Sequence, residues 1–73
     1  MTRKRVTSGA IRSIGYDPTR QDMDIQFKNG EVYTYHPISQ RKYENLMNAQ
    51  SIGNHFHRNV KNAAGITVKK LMQ

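Results

Sequence analysis

The chain has 73 residues, of which 36% are hydrophobic and none is cysteine, and it carries a formal charge of +7 at pH 7. A chain of this length forms one small domain that buries only about 60% of the surface its unfolded form exposes, and without cysteine neither disulfides nor thiolate metal sites can reinforce a thin core. No apolar run approaches the roughly 20 residues that cross a bilayer, and the N-terminus lacks the apolar segment of a signal peptide, so the expectation is a cytoplasmic protein without membrane contact, with homo-oligomerisation as the remaining source of burial.

Residues 1–8 read as a flexible, basic N-terminus. Residues 10–16 read as a first strand, with Ile14 and Tyr16 on one face and Ile11 on the other. Asp17-Pro18-Thr19-Arg20 is a turn, in which Asp initiates and Pro fixes φ. Residues 23–28 alternate cleanly, with Met23, Ile25 and Phe27 inward and Asp24 and Gln26 outward. A third strand covers 31–36 and stops at Pro37, which cannot donate to a ladder. Ser39 is a natural N-cap for a helix to about residue 48. Ile38 and Tyr43 stand at the spacing of a hydrophobic staple, and Tyr43, Leu46 and Met47 form its apolar stripe. Ser51 caps a second helix in which Ile52, Phe56 and Val60 recur at every fourth position, leaving His57, Arg58 and Lys61 towards solvent. Gly65 is a stop signal. Residues 66–73 fit a fourth strand, a swapped arm or an oligomer contact. The fold class is α+β: a three-stranded antiparallel meander followed by two short helices, with the domain proper at 9–65.

Asn29-Gly30 suits a type I′ two-residue turn. That turn places Lys28 opposite Glu31, Phe27 opposite Val32, Gln26 opposite Tyr33 and Asp24 opposite Tyr35. On this register two tyrosines share a polar face with Gln26 and Asp24. Either a helix covers that face and the rings fill the core, or they remain partly open for stacking on a planar ligand. The polar neighbours favour the second.

Charge is segregated. Residues 1–16 carry Arg3, Lys4, Arg5 and Arg12 with no acid, residues 45–73 carry Arg58, Lys61, Lys69 and Lys70 with no acid, and all five carboxylates lie between. If the fold joins the two ends, their fields add and steer an anion there. Basic ends that merely confer solubility are the plainer alternative.

The order Ile14-Gly15-Tyr16-Asp17, Met23, Ile25, Phe27, Gly30, Tyr33-Thr34-Tyr35, Tyr43, Leu46, Ala49, Ser51-Ile52-Gly53 and Phe56 resembles the KTSC domain family, over about residues 8–61. That domain occurs at the C-terminus of some lysyl-tRNA synthetases and as free-standing proteins of bacteria and phages. The resemblance implies a module without an established activity, for which RNA binding is one expectation. The chain departs from the family pattern at Ser39, where the family tends to place a proline, and at His55 and His57, which replace an aromatic residue and an asparagine beside the phenylalanine.

Catalysis has little support, and the chain reads as no enzyme. Ser8, Ser13, Ser39 and Ser51 lack a glycine-flanked nucleophile signature, and the acids Asp22 and Asp24 on one strand face read as solvent contacts. No Walker or Rossmann glycine pattern occurs, and no cofactor is expected. His55 and His57 diverge by about 200° on a helix, so they cannot chelate one metal ion. His57 with Arg58 and Lys61 suits phosphate, or else a solvated face. Ser51 and Gly53 offer a helix start to an anion, although ordinary capping accounts for them equally. The expected ligand site therefore comprises Tyr33, Tyr35, Gln26, Arg12, Ser51, Gly53, His57, Arg58 and Lys61. The expected function is non-enzymatic binding of a phosphate-bearing nucleotide. In its first form a small homo-oligomeric, phage-type protein sequesters a cyclic oligonucleotide immune signal, by analogy with phage evasion proteins. The alternatives are an RNA-binding accessory module and a structural or protein-interaction subunit.

Overall fold

The computed structural model describes residues 2–72. Five strands, β1 (Arg3–Arg5), β2 (Ile11–Asp17), β3 (Asp22–Phe27), β4 (Val32–His36) and β5 (Thr67–Met72), form one antiparallel sheet in chain order, with α1 (Gln40–Met47) and α2 (Ile52–Phe56) between β4 and β5. The fold is α+β, with five strands where the sequence suggested three. β1 lies in the segment expected to be unstructured, pairing Arg3 with Gly15 and Arg5 with Ser13. Of the alternatives for residues 66–73, the strand is the one observed, pairing Lys69 with Thr34 and Val68 with Tyr35. Met1 and Gln73 lie outside the described residues.

The β3–β4 hairpin corrects the expected register by one residue. Met23 stands opposite Tyr35, Ile25 opposite Tyr33 and Gln26 opposite Val32. The connection has three residues: Phe27 N donates to Glu31 O at 2.9 Å, and Gly30 N donates to Phe27 O at 3.0 Å. A type I′ turn needs positive φ at both central residues. Here Gly30 has φ 93° but Asn29 is not in that region, so the glycine instead closes a type I turn with a bulge. Asn29 supports this loop by accepting from Glu31 N at 2.9 Å. A slip of one residue moves every side chain of a strand to the other face. Tyr33 and Tyr35 therefore join Met23 and Ile25, and Val32 joins Gln26.

A second irregularity lies in β2. Ile11 pairs with Phe27 but Ser13 pairs with Gln26, leaving Arg12 as the extra residue of a bulge. Ile11 is thereby turned on to the face of Ile14, not away from it as simple alternation implies. The core then comprises Ile11, Ile14, Met23, Ile25 and Tyr35 of the sheet with Ile38, Leu46, Phe56 and Val60 from the helical segment.

The helices form as their caps dictate. Ser39 Oγ accepts from Lys42 N at 3.2 Å and Ser51 Oγ from Asn54 N at 3.4 Å. Beyond Phe56 the helix widens into a π-helical turn, His57–Lys61. Phe56 and Val60 are both buried against the sheet. Phe56 meets Phe27 and Tyr35 edge to face, with centroids 5.8 and 5.2 Å away. At the other end Tyr43 of α1 stacks on Tyr16 of β2 at 4.5 Å, and Tyr16 donates its hydroxyl to Ile38 O. The His36–Pro37 peptide is cis. No helix among the described residues is long and apolar enough to cross a membrane.

Candidate functional site

With both helices on one face, the opposite face of the sheet is left without a second layer. Cross-strand pairing arranges it in rows: Arg5, Ser13, Gln26 and Val32 form one, and Arg3, Gly15, Asp24, Thr34 and Lys69 the next. Strand alternation puts Arg3 and Arg5 together here and Lys4 on the helix side. The bulge brings Arg12 to the same corner. Arg3, Arg5, Arg12, Ser13 and Gln26 line a shallow depression of about 440 Å³.

The polar groups of this corner are oriented by one another. Ser13 Oγ donates to Gln26 Oε1 at 2.8 Å, which leaves the Gln26 amide N–H groups available. Arg12 Nη2 donates to Lys28 O at 3.3 Å, anchoring the guanidinium at the rim. Asp24 is the carboxylate of the second row: its Oδ1 accepts from Thr34 Oγ1 at 2.7 Å, and its Oδ2 lies 3.9 Å from Arg3 Nη1. The other described acids are engaged elsewhere. Asp22 pairs with His36 at 2.8 Å, Glu31 with Lys70 at 2.9 Å, Asp17 accepts from the backbone of Thr19 and Arg20, and Glu44 accepts from Gln40 Nε2 at 3.2 Å. Among the described residues no carboxylate lies within 4.0 Å of the charged groups of Arg5, Arg12, Arg58 or Lys61.

The residues singled out from the sequence fall in separate places. Arg12 and Gln26 share the corner just described. Ser51, Gly53 and His57 line a different depression of about 500 Å³, facing Ser8 and Gly9 across the start of α2. There Ser8 Oγ accepts from Ala10 N and Ile11 N, both at 3.3 Å. A Cβ on Gly53 would stand 3.3 Å from that oxygen, a tight contact that a shift of a few tenths of an ångström relieves. Arg58 lines a third depression with Ser51, Asn54 and His55, and Lys61 is exposed at the end of the π-helical turn.

Tyr33 and Tyr35 require a correction. Neither shares a face with Gln26 and Asp24. Tyr35 is 7% exposed under Phe56, and burial, followed by the neighbouring Tyr33, raises its phenol pKa. Tyr33 is half-buried, 5.7 Å from Phe27 in an edge-to-face pair, and reaches only a shallow apolar dip beside Lys28 and Asn29. The slipped register explains both positions. Conversely, Arg3, Arg5 and Ser13 line the corner without standing among the site residues expected from the sequence. The signal for them was the alternation Arg3-Lys4-Arg5, readable as one-face placement only if those residues are recognised as a strand.

The molecule so described is a small cationic domain with a two-helix layer on one side of a five-stranded antiparallel sheet and an arginine-lined corner on the other. The KTSC domain model matches residues 7–63, and the chain belongs to that family. It is 35% identical over 57 residues to an uncharacterized protein of Stutzerimonas stutzeri, covering 78% of this chain and 80% of that one. It is also 35% identical over 51 residues to a lysine–tRNA ligase of Nostoc, a stretch covering 70% of this chain but 9% of the ligase. The crystal structure of a KTSC domain protein from Yersinia pestis is similar to it with a TM-score of 0.87 and 35% identity over 96% of both chains.

Proposed function

We propose that this protein is a non-enzymatic binder of phosphate-bearing nucleotide ligands, which it holds on the helix-free face of the sheet. The observation that carries the reading is the meeting of Arg3, Arg5 and Arg12 at one depression with Ser13 and Gln26. Guanidinium forks match phosphate oxygens in two-point hydrogen bonds, and the neutral Gln26 amide beside them, its oxygen held by the Ser13 hydroxyl, adds N–H donors without adding charge. Tyrosine stacking has no part in this version, because those rings face the helices. Contact with bases falls to the arginine planes and the Gln26 amide.

Two ligand forms fit this chemistry. One is a compact cyclic oligonucleotide, captured by a homo-oligomer of phage type that withdraws an immune signal in the cytoplasm of a bacterial host. The other is RNA, bound by an accessory module. The shallow, unwalled shape of the corner favours the second, because sequestration of a small ligand calls for enclosure. The similarity to part of a lysine–tRNA ligase also supports it.

Calorimetric titration with a panel of cyclic oligonucleotides and short single-stranded RNAs, alongside a light-scattering mass, distinguishes these. RNA binding is expected to weaken with salt at a slope near 0.7 per phosphate contacted. Saturation at one compact ligand per oligomer supports sequestration instead. Arg5→Ala and Arg12→Ala should each weaken either ligand several-fold while leaving thermal stability within about 0.5 kcal/mol of the parent, as expected for exposed positions. Absence of heat and of any mobility shift with both ligand classes rejects the proposal and leaves a structural or protein-interaction subunit.

A further inference from the structure

The three arginines of the corner are not equivalent. Arg5 and Arg12 are exposed and have no carboxylate partner among the described residues, whereas Arg3 faces Asp24. Asp24 is held in place. Its side chain is 10% exposed, Thr34 fixes one oxygen at 2.7 Å, and the other oxygen is the one aimed at Arg3. The Arg3 contact is loose by comparison: a single N–O approach of 3.9 Å rather than a two-point fork, with the arginine side chain 29% exposed. We propose that Arg5 and Arg12 form the phosphate-binding pair of this face, and that Asp24 is a built-in competitor that occupies Arg3 in place of a ligand phosphate.

The inference rests on the nucleotide-binding reading and specifies how that site is set. Arg3 and Arg5 stand two residues apart on one strand face, about 7 Å along β1, a separation comparable to that of successive phosphates along an extended nucleic-acid strand. The corner thus has room to engage a second phosphate. Moving Arg3 to that phosphate would strand the largely buried Asp24 carboxylate without its cation, which is costly. The resting arrangement therefore offers one phosphate position and holds the second in check, so affinity for a polyphosphate strand stays below what three arginines would give.

The test compares wild type with Asp24→Asn, whose amide oxygen still accepts from Thr34, using a fluorescent oligouridylate and, in a parallel arm, a cyclic dinucleotide. Neutralising Asp24 should tighten oligouridylate binding about tenfold at low salt and steepen the salt dependence by one phosphate contact, about 0.7 in slope. Adding Arg3→Ala to Asp24→Asn should return both quantities to the wild-type values. Circular dichroism checks the fold, and Asp24→Ser repeats the comparison if the amide variant does not fold. Unchanged affinity and slope in the neutral variant, with binding still weakened several-fold in Arg5→Ala, would overturn the competitor role while leaving nucleotide binding intact. Failure of wild type and every variant to bind either probe overturns both.

Discussion

The two faces of the sheet use the same backbone for opposite purposes. Under the helices, Ile14, Met23, Ile25 and Tyr35 meet Ile38, Leu46, Phe56 and Val60, and the side chains there are chosen for volume. On the bare face the central positions are small or internally satisfied: Gly15 and Ser13 are buried, Asp24 is held by Thr34, and Val32 is 0% exposed yet lies outside the core cluster. The arginines and the lysine of that face lie towards its margins, at Arg3, Arg5, Arg12 and Lys69. One face spends its residues on stability and the other on presentation, and in a domain this small the first must succeed before the second has any value.

The sharpest way to break this contrast is Tyr35→Ala. Removing a ring from beneath Phe56 should cost about 3 kcal/mol or more, read as a lower urea midpoint, while any remaining folded protein keeps its anion affinity. A cost under about 1 kcal/mol would mean that the ring is not part of the core. Base should act on the same residue. The folded state favours the neutral phenol, so its contribution is complete below the ordinary tyrosine value of about 10 and is lost as pH rises through the elevated folded value. Alkaline melts of wild type and Tyr35→Phe test the sign, since the phenylalanine variant should lose less stability between neutral and alkaline pH.

A smaller effect is expected at the hairpin that divides residues between the faces. Gly30→Ala forces a Cβ into a backbone with φ 93°, at a cost of about 1–2 kcal/mol. The space around that Cβ is empty, so the loss is conformational and not steric. A neutral outcome would show that the loop can take another turn. The smallest effect concerns the β4–β5 seam. Lys70 and Asn29 hydrogen-bond Glu31 and hold its carboxyl below the usual range, and Glu31 in turn raises the Lys70 ammonium. The glutamate's contribution is present above its ordinary pKa and lost as pH falls through the lowered value. The lysine's is present below its ordinary pKa and lost as pH rises through the raised one. Amide exchange, corrected for intrinsic rates, should therefore quicken in β5 before β3 at both extremes, and Glu31→Gln should abolish the acid limb.

Much of the fold was legible because local chemistry and tertiary structure agree. Ser39 and Ser51 cap as their positions suggest, the four-residue recurrence of Ile52, Phe56 and Val60 marks a buried face, and β3 alternates without interruption. The failures have specific causes. Asn-Gly fits both a two-residue turn and the glycine end of a three-residue loop, and local preference cannot separate them; the burial of Tyr33 and Tyr35 does. The bulge at Arg12 has no local signal. β1 is three cationic residues, the kind of short, charged edge that discourages edge-to-edge pairing and resembles a disordered tail. Arg12 and Gln26 were identified, but in company with tyrosines that the register sends to the other side.

Each strand neighbours only the strand adjacent to it along the chain, and four of the five are joined by short loops, whereas β5 reaches the sheet only after residues 37–66 have folded over it. Closing that long excursion carries the largest entropic charge of any step in assembly. Refolding is thus expected to zip β1 through β4 first and seat the C-terminal ribbon last, and the same ribbon should be the earliest to fray when the molecule breathes.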